Sequence, residues 1–94
     1  MPVFLISRFN MKDPARMKEY AARAVPMAQS HGGVYLARTE AAEALDGTFP
    51  GGRLVIMQFP DMARFRAFWD SPEYQELRKI RLAASDGDVW LVPA

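Results

Sequence analysis

The stretch from Arg53 to Tyr74 constrains this chain more than any other. RLVIMQF (Arg53–Phe59) is apolar and branched enough to be a core strand, and Pro60-Asp61 stops it. Asp61 is the expected N-cap of a helix whose apolar stripe is Met62, Phe65, Phe68 and Trp69. Ser71-Pro72-Glu73 then repeats a start signal: a capping hydroxyl, a proline where no N–H is needed, and a carboxylate in the first turn. A proline in a helix interior would cost about 3 kcal/mol, so the pattern predicts two helical segments broken at Ser71-Pro72. Tyr74, Leu77, Ile80 and Ala84 form the stripe of the second. Gly87 reads as the end of that helical region, and Asp88–Val92 as a closing strand.

The first half reads as an earlier copy of this arrangement. VFLISRF (Val3–Phe9) is strand-like, and Asp13-Pro14 opens a helix with Met17, Tyr20, Ala21, Ala24 and Ala28 at helical spacing. Pro26 lies inside that pattern, so the helix is expected to bend or end its regular part near Val25, before Gly32-Gly33 stops it. Val34–Arg38 is a second strand, expected to resume around Glu43–Leu45. Asp46–Gly52 closes the hairpin onto Arg53.

The order is therefore β-α-β-β-α-β, an α+β, ferredoxin-like arrangement spanning residues 1–94 as a single domain. The two most apolar strands fall where that arrangement puts the central ones. They also carry a second signal. Val55, Met57 and Phe59 alternate with Leu54 and Ile56, and Val3, Leu5 and Phe9 with Phe4 and Ile6, so both faces of the sheet are apolar. Helices cover only one face of such a sheet. The other needs a partner, and the economical one is the same sheet of a second copy: a homodimer.

Composition narrows the function classes. With 12 Lys+Arg against 11 Asp+Glu, no net field attracts nucleic acid or an anionic membrane. No apolar run reaches membrane-spanning length and no secretory leader is evident, so a cytoplasmic protein with no membrane association is expected. The absence of cysteine excludes disulfides and thiolate chemistry, and a single histidine excludes a two-His metal site within one chain. No phosphate loop, metal-ligand spacing or nucleophile elbow is present, and no cofactor or metal is expected.

The DP near the first helix, HGG-x-YLAR (His31–Arg38), EALDGTFPGGR, FP after the third strand and FWDSPEYQ (Phe68–Gln75) together resemble the domain-of-unknown-function family numbered thirteen-thirty. The likeness covers essentially the whole chain. It implies membership of the dimeric α+β-barrel superfamily, in which two ferredoxin-like sheets pack face to face. One departure stands out: Thr39-Glu40 follows Arg38 where a glycine pair is expected. The resemblance implies cofactor-independent oxygenase or isomerase chemistry on a small organic molecule. The alternative is a non-catalytic dimer that binds a small molecule or a partner. Haem-degrading relatives in that superfamily use a late-chain histidine, and none follows His31 here.

The residues expected to line a small-molecule site are Tyr35, Arg38, Trp69 and Tyr74, with His31 as a further candidate. Trp69 and Tyr74 straddle the helix break, and Tyr35 and Arg38 come from a strand beside the core. Trp69 and Phe68 equally suit plain core packing, and the Tyr74 hydroxyl needs a partner of some kind if buried. His31 has two readings: a helix C-terminal cap, favoured by the dipole, or an acid–base or ligand group oriented by a pairing with Asp61. Topology puts it at the far sheet edge from Tyr74. Arg78, Lys79 and Arg81 read as a solvated helix face.

Overall fold

The strands are made of residues that suit a pleated, half-buried surface, and their pairing order confirms the expected topology. In the computed structural model, which describes residues 1–94, β1 is Val3–Met11, β2 Val34–Thr39, β3 Arg53–Phe59 and β4 Ser85–Pro93. They make a four-stranded sheet in the order β2-β3-β1-β4, antiparallel throughout. Three helices, α1 (Pro14–Ser30), α2 (Met62–Trp69) and α3 (Pro72–Ala84), lie on one face, with α1 packed chiefly on α3. The slab measures 34 × 32 × 15 Å, the thickness of one sheet and one helix layer.

All three helix starts are capped as the sequence predicts. The Asp13 side chain accepts from the Arg16 N–H (3.2 Å), Asp61 from Arg64 (2.7 Å), and Ser71 from Tyr74 (3.1 Å). Ser71 also donates to the Phe68 carbonyl (2.8 Å), so one hydroxyl ends α2 and begins α3. The break at Ser71-Pro72 is real.

Four sequence expectations are corrected. Helix α1 does not end near Val25 but runs through Pro26 to Ser30. Pro26 and Ala22 are both exposed, so the carbonyl that Pro26 leaves without a donor lies on the solvent side. No strand forms at Glu43–Leu45. The Thr39 hydroxyl accepts from the Ala41 N–H (2.9 Å) and turns the chain off the ladder, and Leu45 is 91% exposed with nothing to pack on. Gly87 does not end a helix. The chain leaves α3 at Ala84, and Gly87 sits within β4 opposite Phe9, where a Cβ would strike the Arg8 carbonyl. Finally, Arg81 is not on a solvated face: it is 6% exposed.

The core lies between the inner sheet face and the helices. Val3, Leu5, Met57 and Phe59 of the sheet meet Ala24 and Ala28 of α1, Phe65 and Phe68 of α2, and Tyr74 and Leu77 of α3. Phe59, wholly buried, stacks on Phe68 (5.6 Å) and takes the edge of Phe65 (5.4 Å). The outer face has no helix. Phe4, Ile6, Leu54 and Ile56 are half-buried on it, and Val34, Leu36, Trp90 and Val92 are 40–52% exposed.

Candidate functional site

Two glycines and a bulge decide which side chains face inward. Gly32 takes φ +87° and closes α1: its N–H reaches the Gln29 carbonyl (3.0 Å), and the Gly33 N–H reaches that of Ala28 (2.9 Å). The chain thereby enters β2, which carries an irregularity between Tyr35 and Ala37. In an unbroken strand, residues three apart point to opposite faces. The extra residue at the irregularity lets Tyr35 and Arg38 line the same side, and the Arg38 guanidinium lies 5.4 Å from the Tyr35 ring centre.

That side is the wall of a cavity of about 420 Å³ between the sheet and the helices. Its floor is sheet: Leu5, Ser7 and Phe9 from β1, Val55 and Met57 from β3. Its roof is α1, from Pro14 to Ala28, and its far end is Phe68, Trp69, Tyr74 and Arg81. Most of the lining is apolar or aromatic. Lys18 and Arg38 are exposed and Arg53 is half-buried, whereas Arg81 is buried.

Tyr20 of α1 and Tyr74 of α3 join hydroxyl to hydroxyl across the far end at 2.8 Å. Their rings meet edge-on at 6.4 Å. Burial pushes the Tyr20 phenol far above its ordinary value, Tyr74 adds to the rise, and the neighbouring Arg81 guanidinium only partly opposes it. Tyr20 is therefore a neutral hydrogen-bonding phenol, not a base. Trp69 stacks on Phe65 (5.7 Å) and leans on Tyr74 (5.1 Å), and the Arg78 and Arg81 guanidinium carbons lie 5.8 and 6.0 Å from its ring centre.

The structure thus brings Tyr35, Arg38, Trp69 and Tyr74 to one cavity and leaves His31 outside it. His31 is the C-cap of α1. Its Nδ1 lies 3.0 Å from the Met27 carbonyl and 3.3 Å from the Ser30 hydroxyl, beside Ala63, Arg64 and Ala67 in a separate shallow depression. The expected pairing with Asp61 does not form, because the Asp61 carboxylate is taken by its own helix start. No group of three or more His, Cys, Asp or Glu side chains is placed to hold a metal.

Sequence reasoning missed Tyr20 and Arg81. Both had a signal. Tyr74, Leu77, Arg81 and Ala84 follow the 3-4-3 spacing of a buried stripe, and all four are buried. Ile80, chosen for that stripe, is half-buried at its margin.

The family model described as domain of unknown function, DUF1330, matches residues 2–94. No curated protein matches the chain. Among solved structures, the RPA0582 protein of unknown function from Rhodopseudomonas palustris is similar at 19% identity and TM-score 0.82, over 99% of this chain and 82% of that one. SnoaB, a cofactor-independent oxygenase from Streptomyces nogalater, is similar at 20% identity and TM-score 0.71, over 99% and 92%. A dimeric ferredoxin-like protein of unknown function from Thermobifida fusca is similar at 14% identity and TM-score 0.64, over 100% and 92%. These likenesses establish the fold.

Proposed function

The chain belongs to the DUF1330 family, and from that premise we propose that it works as a homodimer in which each subunit encloses one small organic molecule. The observation that carries this reading is the cavity itself. At about 420 Å³, with apolar and aromatic walls and a few directed polar groups, it has the size and make-up of a small-molecule site. Tyr35, Arg38, Trp69 and Tyr74 are its proposed ligand-contacting residues. The dimer reading rests on the outer sheet face. Val34, Leu36, Trp90 and Val92 expose apolar surface where no helix lies, and a specific interface buries about 1,200 Å² or more in total. No helix is long and apolar enough to cross a membrane. A cytoplasmic setting fits the cysteine-free sequence.

Two versions of the site differ in chemistry. The likeness to SnoaB supports a cofactor-independent reaction of oxygenase or isomerase type on the bound molecule. The lining favours non-catalytic binding: it contains no Asp, Glu or His, and burial keeps the Tyr20 phenol neutral, able to donate a hydrogen bond but not to act as a base. A screen of small aromatic and carbonyl compounds by thermal shift, repeated on Trp69→Ala, tests the site. Hits that stabilise the wild type and fail on the variant are expected. Hits indifferent to Trp69 would remove the cavity as their binding place. Oxygen uptake or isomer formation with those hits then separates the catalytic version from the binding one.

A further inference from the structure

Arg81 is the one charged side chain that the fold buries, at 6% exposure. Buried charges are ordinarily paired, because removing an ion from water is costly unless an opposite charge replaces the lost hydration. None of the chain's four ion pairs includes it: those join Arg8 to Asp88, Lys12 to Asp86, Arg53 to Glu40 and Lys79 to Glu76. Its guanidinium carbon lies 5.6 Å from the Phe9 ring centre and 6.0 Å from that of Trp69. Aromatic faces soften a cation's charge but do not neutralise it. The guanidinium borders the cavity beside the Tyr20–Tyr74 hydroxyl pair.

The cavity lining as a whole repeats this imbalance. It includes four basic side chains, Lys18, Arg38, Arg53 and Arg81, and no carboxylate. Only Arg53 has an acidic partner, Glu40 at 3.4 Å. A cleft with low-dielectric walls and one sign of charge concentrates ligands of the other sign.

We infer that the ligand is an organic acid, a carboxylate on an apolar or aromatic body, whose charge seats on the Arg81 guanidinium at the closed end of the cavity. The planar fork of arginine matches the two oxygens of a carboxylate, and the tyrosine hydroxyls supply a further donor beside it. The apolar body then lies along Phe9, Val55, Met57 and Trp69. A phosphate dianion fits less well, since it needs more donors than one buried guanidinium and a phenol provide. This assignment rests on the small-molecule reading of the cavity and narrows it to one chemical class.

The test is a panel of matched pairs, benzoate with benzamide and 2-naphthoate with 2-naphthamide, titrated into the protein by calorimetry, with inorganic phosphate as a third probe. The acids are expected to bind at least about tenfold more tightly than their amides. Arg81→Met, which replaces the charge with a flexible apolar chain of similar length, is expected to erase that preference. It should weaken the acids far more than the amides and leave the ligand-free protein at least as stable as wild type. A structural role for Arg81 would instead lower stability without altering the acid-to-amide ratio. Should Arg81→Met not fold, Arg81→Lys keeps the charge, loses the fork, and is expected to reduce the ratio. Amides binding as well as acids in the wild type, or a ratio unmoved by either variant, overturns the inference and leaves the cavity a neutral-ligand site. Phosphate displacing the acids at equal concentration overturns the carboxylate assignment. If neither acids nor amides bind at millimolar concentration, the small-molecule reading falls, and this inference with it.

Discussion

The two faces of the sheet are built from the same alternation and end in opposite states. On the inner face Val3, Leu5, Met57 and Phe59 are closed over, all being at most 8% exposed, yet the buried charge of Arg81 has no acidic partner. On the outer face the charges are matched, Arg8 with Asp88 at 3.3 Å, while Val34, Leu36, Trp90 and Val92 remain open. The inner face is covered by helices but leaves a buried charge without an acid beside a cavity, whereas the outer face pairs Arg8 with an acid and leaves apolar surface open. On the proposed reading, what each face lacks is what it would meet: an apolar surface outside, a small charged molecule inside.

The largest expected effect belongs to the inner face. Phe59 is wholly buried against Phe65 and Phe68. Phe59→Ala should cost about 3–5 kcal/mol of folding stability, because the rigid aromatic cluster around it collapses only partly into the gap. Denaturant unfolding at fixed protein concentration measures it. A loss near 1 kcal/mol would mean that the inner face is loosely packed and that the contrast drawn above is false.

Ile56, three residues earlier on the same strand, points the other way, opposite Ile6. Ile56→Glu should weaken self-association by about thirtyfold or more, on the scale of a central interface residue, while the monomer stays folded. Light scattering across a dilution series reads the assembly, and circular dichroism the fold. A wild-type protein that is a stable, folded monomer at micromolar concentration would sink the dimer.

A third expectation concerns alkaline pH. Burial raises the Tyr20 phenol above its unfolded value of about 10. Above that pH the unfolded chain releases a proton that the folded chain still holds, so folding stability falls as pH rises, by about 1.4 kcal/mol per unit for this one group. Below pH 10 Tyr20 contributes no pH dependence. Tyr20→Phe should flatten the alkaline limb of a stability-against-pH curve, and an unchanged limb would place that phenol in water.

The outer face was legible in the sequence because a period of two needs no knowledge of partners: Leu54 and Ile56 declare a second apolar face by themselves. The caps at Asp13, Asp61 and Ser71 were equally legible, since each acts within its own turn. The strand order followed from element order. The site was legible only in part. Tyr35, Arg38, Trp69 and Tyr74 could be singled out by residue type, but that Tyr35 and Arg38 share a face depends on one irregularity in β2, which pairing creates. Tyr20 and Tyr74 are 54 residues apart, and their hydrogen bond exists only once α1 packs on α3. Arg81 was masked by company: beside Arg78 and Lys79 it looks like part of a solvated run, although its spacing from Leu77 and Tyr74 places it on the buried stripe.

The smallest expected effect decides what the tyrosine pair is for. Tyr74 is 2% exposed, and its hydroxyl meets that of Tyr20 at 2.8 Å, fastening α1 to α3 at the closed end of the cavity. Tyr74→Phe keeps the ring and its contacts with Phe68 and Trp69, so it removes one hydrogen bond and leaves the Tyr20 hydroxyl to find another partner. The loss should be about 0.5–1.5 kcal/mol, well below that of Phe59→Ala. Losing Tyr74's influence should also lower the Tyr20 phenol toward its ordinary value, and so weaken the alkaline destabilisation without abolishing it. The deciding measurement is ligand binding on the same variant. A hydroxyl that serves the cavity should, when removed, weaken bound acids by more than it weakens the fold. A loss of several kcal/mol in stability with unchanged binding would make the pair a core fastening, and the closed end of the cavity would then be Arg81 and Trp69 alone.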